Sequence, residues 1–305
     1  MTFAPATSNF DYIIIGSGSA GSAIAYRLAE SGQTNIAVIE FGGSDAGPFI
    51  QMPAALSYPM NMPFYDWGYR AEAENGLNGR SLVCPRGKVI GGSSSINGMI
   101  YVRGNPLDYD HWRDQGAAGW GYVDVLPYFR RMETSHGGQA PWRGTDGPLH
   151  ITRGPRDNPL HEAFVTAATQ AGYAATLDYN GHRQEGFGPA DMTVWNGRRW
   201  SAANAYLRPA LKTGRVKLYS RTLADRILFD GRKAIGVRVT RKGKKMDILA
   251  EKAVILSAGA IASPAILQRS GVGDAVLLQK HDIEVIADRK GVGTNLQDQD
   301  RKSVV

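Results

Sequence analysis

The stretch Asp11–Glu30, DYIIIGSGSAGSAIAYRLAE, decides the fold. Tyr12–Ile15 is a short apolar run of the kind that forms a buried strand, and a glycine turn follows it at once. Beyond the turn, Ala20, Ile24, Ala25 and Leu28 supply small and apolar positions for a helix, which Gly32 and Thr34 end. Ile36–Ile39 is a second buried strand and closes on Glu40. The pattern predicts a βαβ unit of about 30 residues and places the chain in the α/β class.

Gly16, Gly18 and Gly21 have the spacing GxGxxG, after a strand and before a helix. Gly16 allows the tight turn, Gly18 lets the backbone approach a pyrophosphate, and Gly21 lets helix and strand pack closely. The helix start, at Ser19 and Ala20, offers free N–H groups and a partial positive charge to phosphates. Glu40 lies 19 residues after Gly21, where a carboxylate accepts hydrogen bonds from both ribose hydroxyls and repels a 2′-phosphate. The unit predicts a dinucleotide and leaves NAD and FAD both open.

Arg86–Pro106, RGKVIGGSSSINGMIYVRGNP, narrows that choice. Gly91, Gly92 and Ser93–Ser95 make a donor-rich loop, and Asn97, Gly98, Met99, Ile100 and Tyr101 follow it. A flavin ring needs polar backbone groups along one edge and apolar side chains against a face, and this loop can supply both. An ordinary Gly/Ser turn is the simpler alternative for the loop alone.

The remaining sequence bounds the rest. At 305 residues and 43% hydrophobic content the chain can bury a sizeable core. The net charge of +7 comes without a basic run interleaved with aromatics, which argues against a nucleic-acid partner. Arg241–Lys245, RKGKK, reads as a hairpin tip. Cys84 is the sole cysteine, so no internal disulfide forms. No apolar stretch reaches the length of a membrane span, and nothing at the N-terminus reads as a signal peptide. A cytoplasmic protein is expected, with peripheral membrane association left open.

Composition divides the chain into a nucleotide-binding domain over residues 1–155 and 206–299, with a second α+β domain inserted at 156–205. Val123–Glu133 and Phe164–Ala171 read as helical, and Val216–Ala260 as a β-meander turning at Asp230-Gly231 and Lys242-Gly243. Val254–Leu256 reads as a buried strand, followed by a helix with Ser263 as its cap, Pro264 in first position and Gly271 at its close.

Five blocks carry a resemblance to the glucose-methanol-choline oxidoreductases, the FAD-dependent alcohol dehydrogenases and oxidases. They are DYIIIGSGSAGSAIAYRLAE, RGKVIGGSSSINGMIYVRGNPLDYDHW, GFGPADMTVWNGRRWSAANAYL, SAGAIASPAILQRSGVG and GVGTNLQD, together spanning essentially residues 10–299. Within that family QMPAAL (Gln51–Leu56), YNGHRQEGFGP (Tyr179–Pro189) and ADRILFDG (Ala224–Gly231) resemble the bacterial choline dehydrogenase branch. The resemblance implies a Rossmann-like FAD domain with an incomplete substrate-binding domain. It implies that Gly16, Gly18, Ser19, Ala20 and Gly21 hold the pyrophosphate and Glu40 the adenosine ribose. Trp67, Arg86, Gly92, Ser93, Asn97, Gly98, Met99 and Ile100 would lie along the pyrophosphate and flavin. Ala224 would meet the adenine through its backbone, and Ala258 would bring the buried strand Val254–Leu256 to the cofactor again. Some relatives attach the flavin through a histidine just before the matching asparagine. Ile96 stands there and cannot form that bond, so the FAD is expected to be non-covalent.

The resemblance also implies hydride transfer from a primary alcohol, choline being favoured over other alcohols or polyols, with oxygen or a respiratory chain as acceptor. An NAD-linked dehydrogenase and a non-catalytic flavin module are the alternatives. A choline pocket requires aromatic faces and a carboxylate. The family's catalytic histidine lies in a C-terminal segment beyond this chain. His111, His136, His150, His161, His182 and His281 match no part of it, so no catalytic residue and no metal site is assigned. A chain lacking that segment is expected to leave apolar surface and a sheet edge exposed, to be poorly soluble, to bind FAD weakly and to be inactive alone. The last residues, Asp300–Val305 (DRKSVV), are what a common sequencing adapter encodes up to its stop codon. They are expected to be a non-native tail, with Gln299 altered by the same junction.

Overall fold

A computed structural model describes residues 9–32, 34–155 and 157–296; the expected non-native tail, residues 300–305, and Gln299 lie outside the described residues. Its centre is a six-stranded sheet in the order Val216–Tyr219, Ile36–Ile39, Asn9–Ile15, Lys244–Leu256, Lys233–Arg241, Thr222–Asp230. The first three strands pair in parallel, with Ile13 opposite Ala37 and Ile36 opposite Val216. A strand covered on both faces must be apolar throughout, which is why YIII and IAVI carry no alternation. Ile13, Ile15, Ala37 and Ile39 pack on one face with Val237, Val239, Ile248 and Ile266. Ile14, Ile36 and Val38 pack on the other with Ala25 and Ala29 of the helix Ser19–Glu30. Each isoleucine sealed in this way contributes about 1.5–3 kcal/mol.

The meander's strands differ from their sequence reading in two respects: Val216–Tyr219 is not part of it but pairs in parallel with Ile36–Ile39 at the far edge of the sheet, and its last strand is longer than read. Lys244–Leu256 is a single strand of 13 residues. Its first half pairs antiparallel with Lys233–Arg241, and its second half pairs in parallel with Asn9–Ile15. The short run Val254–Leu256 is therefore the end of the meander's last strand. The Lys242-Gly243 turn forms as read, with positive φ at both residues (50° and 75°), the geometry of a tight two-residue hairpin. The first turn is shifted by one residue, because Asp230 still pairs with Lys233 and Gly231-Arg232 make the bend. The helix after this strand spans Gly259–Arg269, so Pro264 sits inside it and Ser263 is not its cap. The turn that starts it is made by Gly259, whose φ of 85° releases the chain from the strand, and Gly271 follows its end at φ 88°.

A second sheet has Glu133–His136 parallel to Leu149–Arg153, which pairs antiparallel with Asp191–Met192. It draws strands from both sides of residue 155, so no break in sheet structure falls at the boundary read from composition. The helices Tyr122–Met132 and Pro159–Gln170 match the apolar periodicity of their sequences. Leu160, Phe164, Val123 and Val276 are more than half exposed on these and neighbouring helices. No described helix is long and apolar enough to cross a membrane.

A buried ion network fixes the segment after the second glycine loop. Arg143 donates to Glu133, Asp178 and Asp191, each at 2.7 Å, and Arg103 donates to Glu133 at 2.9 Å. Asn180 and Asp191 then hold the backbone of Tyr101 and Arg103. Breaking a sealed network strands its acids, which costs about 3–5 kcal/mol. Arg143→Met should lower the unfolding free energy by about that amount in urea titration, whereas replacement of exposed Arg113 should change it by under ~1 kcal/mol.

Candidate functional site

Residues from the ends of the three central strands enclose a cleft of about 690 Å³. Its floor is built by contacts that leave no room for side chains. A Cβ on Gly16 would stand 2.4 Å from the Ser257 carbonyl, and one on Gly21 would stand 1.9 Å from the Gly16 carbonyl. Gly16 adopts φ 99°, and its N–H donates to the Ile39 carbonyl at 2.8 Å. From the other side, the Gly91 N–H donates to the Ser17 carbonyl at 3.1 Å. A Cβ on Gly92 would come within 2.8 Å of Gly18 Cα. The two glycine segments, remote in sequence, thus touch backbone to backbone.

Of the residues singled out from the sequence, Gly16, Gly18, Ser19, Ala20, Glu40, Trp67, Arg86, Gly92, Ser93, Ala224 and Ala258 line this cleft. Gly21 does not; it is buried beneath the turn and serves the packing of helix on strand. Asn97, Gly98, Met99 and Ile100 lie just beyond the Gly92–Ser93 rim and do not line it. Asn97, Gly98 and Ile100 are exposed there, and the Met99 side chain is buried at φ 63°. None of the six histidines lines the cleft. Among the described residues no cluster of three metal-ligating side chains occurs.

The sequence reading missed the Gly259–Ile266 helix as a wall of the cleft. Its signal was the run of small residues in SAGAIAS after a buried strand. The helices starting at Ser19 and Gly259 both begin at the cleft, and neither has an acid in its first turn. Two uncompensated positive helix ends facing one cavity suit a diphosphate. Phe41 was also missed. Its ring stacks on Trp67 at 4.9 Å, and Trp67 stacks on Tyr69 at 5.8 Å, so three aromatic rings form one wall.

Glu40 is almost wholly buried. Its Oε2 accepts from the Ser17 N–H at 3.0 Å and the Ser17 hydroxyl at 2.8 Å, and its Oε1 accepts from the Gly42 N–H at 2.7 Å. A carboxylate has about four acceptor positions. Ser17 and Gly42 already occupy three of them. Burial raises the Glu40 carboxyl above its ordinary value near 4.5, against the lowering effect of those donors. In the unloaded chain this group favours folding most below that value, and its contribution is lost as pH rises through the raised one.

A parallel sheet, a glycine turn feeding a helix end, and a buried acid at the next strand define a Rossmann-like dinucleotide-binding protein. The GMC oxidoreductase model matches residues 10–300, and the chain belongs to that family. It is 61% identical over 288 residues to an oxygen-dependent choline dehydrogenase of Brucella anthropi, covering 94% of this chain and 52% of that protein. It is 59% identical, with the same coverage, to the protein of that name from Brucella suis. Among solved structures, a pyridoxine 4-oxidase from Mesorbium loti superposes with TM-score 0.87 at 33% identity, covering 91% of this chain and 55% of that one. An FAD-dependent oxidoreductase from Chaetomium thermophilum superposes with TM-score 0.90 at 32% identity, covering 95% and 52%. The chain spans about half the length of the curated relatives it matches.

The contact between the glycine segments is open to a direct test. Gly92→Ala places a Cβ against Gly18 at a φ of 57°, a strain of about 1–3 kcal/mol. It should weaken dinucleotide binding about tenfold or more in a fluorescence titration. Gly76→Ala, where no atom lies within 4 Å of the new Cβ, should leave binding unchanged.

Proposed function

We propose that this chain is the FAD-binding part of an oxidoreductase acting on CH–OH groups, which oxidises a primary alcohol, with choline favoured, to the aldehyde. The observation that carries the reading is the cleft between the Gly16–Ala20 turn and the Gly92–Ser93 loop, faced by two helix N-termini. Close approach of backbone, with Cβ atoms excluded, is what a diphosphate bridge requires. When bound, FAD supplies a two-electron acceptor for the hydride of the alcohol.

The chain's own residues divide the work of holding it. Gly18, Ser19 and Ala20 present N–H groups to the pyrophosphate, and Gly16, whose own N–H is held by the Ile39 carbonyl, supplies the turn that lets it approach. Glu40 accepts from the adenosine ribose, and Ala224, beside Leu223 in the same wall, meets the adenine. Arg86 and Trp67 border the path towards the flavin end, and Gly92, Ser93, Asn97, Gly98, Met99 and Ile100 continue it to the open side. Gly21 and Ala258 bring the first helix and the end of Lys244–Leu256 close enough for all of this. The buried Ile96 side chain offers no atom for a covalent link, so the cofactor is held non-covalently.

The choline preference is supported by the two Brucella relatives and by the blocks Gln51–Leu56 and Tyr179–Pro189. Electrons then pass to oxygen, as the relatives' names suggest, or to a respiratory chain, in the cytoplasm or at a membrane surface. The test joins this chain to the downstream half of the Brucella anthropi protein and adds choline without oxygen. Bleaching of the flavin absorbance supports the reading. A flavin that stays oxidised with choline and is bleached by another primary alcohol moves the substrate assignment.

Two outcomes follow for the cofactor itself. Acid precipitation of the loaded protein should leave all flavin colour in the supernatant; colour in the pellet contradicts non-covalent binding. ADP, as a probe of the adenosine half, should bind more tightly as pH rises through the raised Glu40 value, because a ribose hydroxyl donates best to the ionised carboxylate. Glu40→Gln should bind about tenfold more weakly, the scale of one hydrogen bond to a charged group at ~1.5–3 kcal/mol, and lose that pH dependence.

A further inference from the structure

Arg199 heads the fully buried side chains by size, with no solvent exposure. Its Nε donates to the Ile50 carbonyl at 2.9 Å. Its Nη1 donates to the Asn97 carbonyl at 2.7 Å, to Asn97 Oδ1 at 2.9 Å and to the Ser94 carbonyl at 3.3 Å. Every one of these acceptors is neutral. No carboxylate among the described residues reaches the guanidinium, and Nη2 has no partner among them. The hydroxyl of Ser201, two residues on, is also buried and unpartnered.

The contrast with the other sealed arginines is sharp. Arg103 and Arg143 are surrounded by Glu133, Asp178 and Asp191. Burial alone pulls the Arg199 guanidinium down to about 10, which still leaves it cationic at neutral pH. An unpaired buried charge opposes folding, and an unsatisfied buried donor needs a physical reason. The reason is read from where the acceptors lie. Ser94 and Asn97 form the loop that continues the Gly92–Ser93 rim of the cleft, and Asn97 Oδ1 in turn accepts from the Met99 N–H at 3.1 Å. The charge therefore sits directly behind the loop at the open end of the cofactor path.

Resting on the reading of the cleft as an FAD site, we propose that Arg199 is a positioning residue for the flavin end. Its planar fork locks Asn97 and the Ser94–Met99 loop in one conformation. Its unneutralised charge gives that loop a positive potential, which favours the reduced, anionic form of the ring over the oxidised, neutral form. A fixed charge in a water-excluded place acts at long range and needs no rearrangement. Lysine keeps the charge and loses the fork, so the two parts of the role are separable.

The test measures dissociation constants of oxidised and dithionite-reduced FAD for the 305-residue chain and its variants, with the unfolding midpoint of each unloaded protein. The parent should bind reduced FAD more tightly than oxidised FAD. Arg199→Met should lose tenfold or more of that preference, a fall of about 30 mV in the two-electron potential. Arg199→Lys should bind both forms more weakly and keep the ratio. Asn97→Asp keeps the arginine and supplies a counter-charge, so it should raise the unfolding midpoint of the unloaded chain; the same substitution on Arg199→Lys or Arg199→Met should raise it less. If Arg199→Met does not fold, the Asn97→Asp result decides. Equal ratios in the parent and Arg199→Met, or a midpoint lowered by Asn97→Asp, overturn the proposal. A folded parent that binds neither form of FAD overturns the cofactor reading instead, and the midpoint comparison still tests whether the charge is uncompensated.

Discussion

The whole site depends on one steric constraint: three stretches of backbone meet where no Cβ fits. The turn at Gly16 lies against the Ser257 carbonyl, Gly21 lies under Gly16, and Gly92 lies against Gly18. Parallel pairing of Asn9–Ile15 with Ile36–Ile39 and with the end of Lys244–Leu256 brings the three strand ends to the same edge. Core packing on both faces of those strands fixes that alignment to within side-chain tolerances. The cleft opens above it because glycine and serine leave the volume unfilled. Alanine at Gly16, Gly21 or Gly92 would have to move backbone, and backbone here is held by both cores.

Electrostatics follows from the same geometry. Two helix ends without first-turn acids begin at the cleft, so that part of it is positive. Among the described residues Glu40 is the one acid lining the cleft, and its donors Ser17 and Gly42 hold it in place. At the other end a buried arginine braces the loop from behind, and the Arg103–Glu133–Arg143 network braces the segment that follows. Two of these devices do different jobs. The network sets Arg103, Arg143 and the partly exposed Arg153 against Glu133, Asp178 and Asp191 and stabilises by mutual satisfaction, whereas Arg199 is unbalanced and costs stability in exchange for a local potential.

The βαβ unit was legible because its elements are local and both its strands are apolar without interruption. The cleft's residues were legible where a spacing carries chemistry, as in Gly16, Gly18 and Glu40, or where the family resemblance supplied the position, as in Trp67 and Ala224. What the sequence did not disclose depends on contacts between distant segments. Nothing in Lys244–Leu256 says that one strand serves two neighbours in opposite senses. Pro264 was read as a helix start because proline is common there, yet Gly259 had already turned the chain. Arg199 reads as one more cation in NGRRW, and only packing reveals that it is sealed against neutral oxygens. The Ser17 and Gly42 donors that hold Glu40 likewise arise only when the turn folds, and leave no mark in the sequence.

The most direct test of the central claim, that the two glycine segments form one cradle for FAD, is a calorimetric titration of the same protein with FAD, FMN and NAD. The account predicts a single saturable site for FAD, with FMN and NAD binding far more weakly because each lacks one half of what the cleft contacts. Saturable binding of NAD with none of FAD would contradict it.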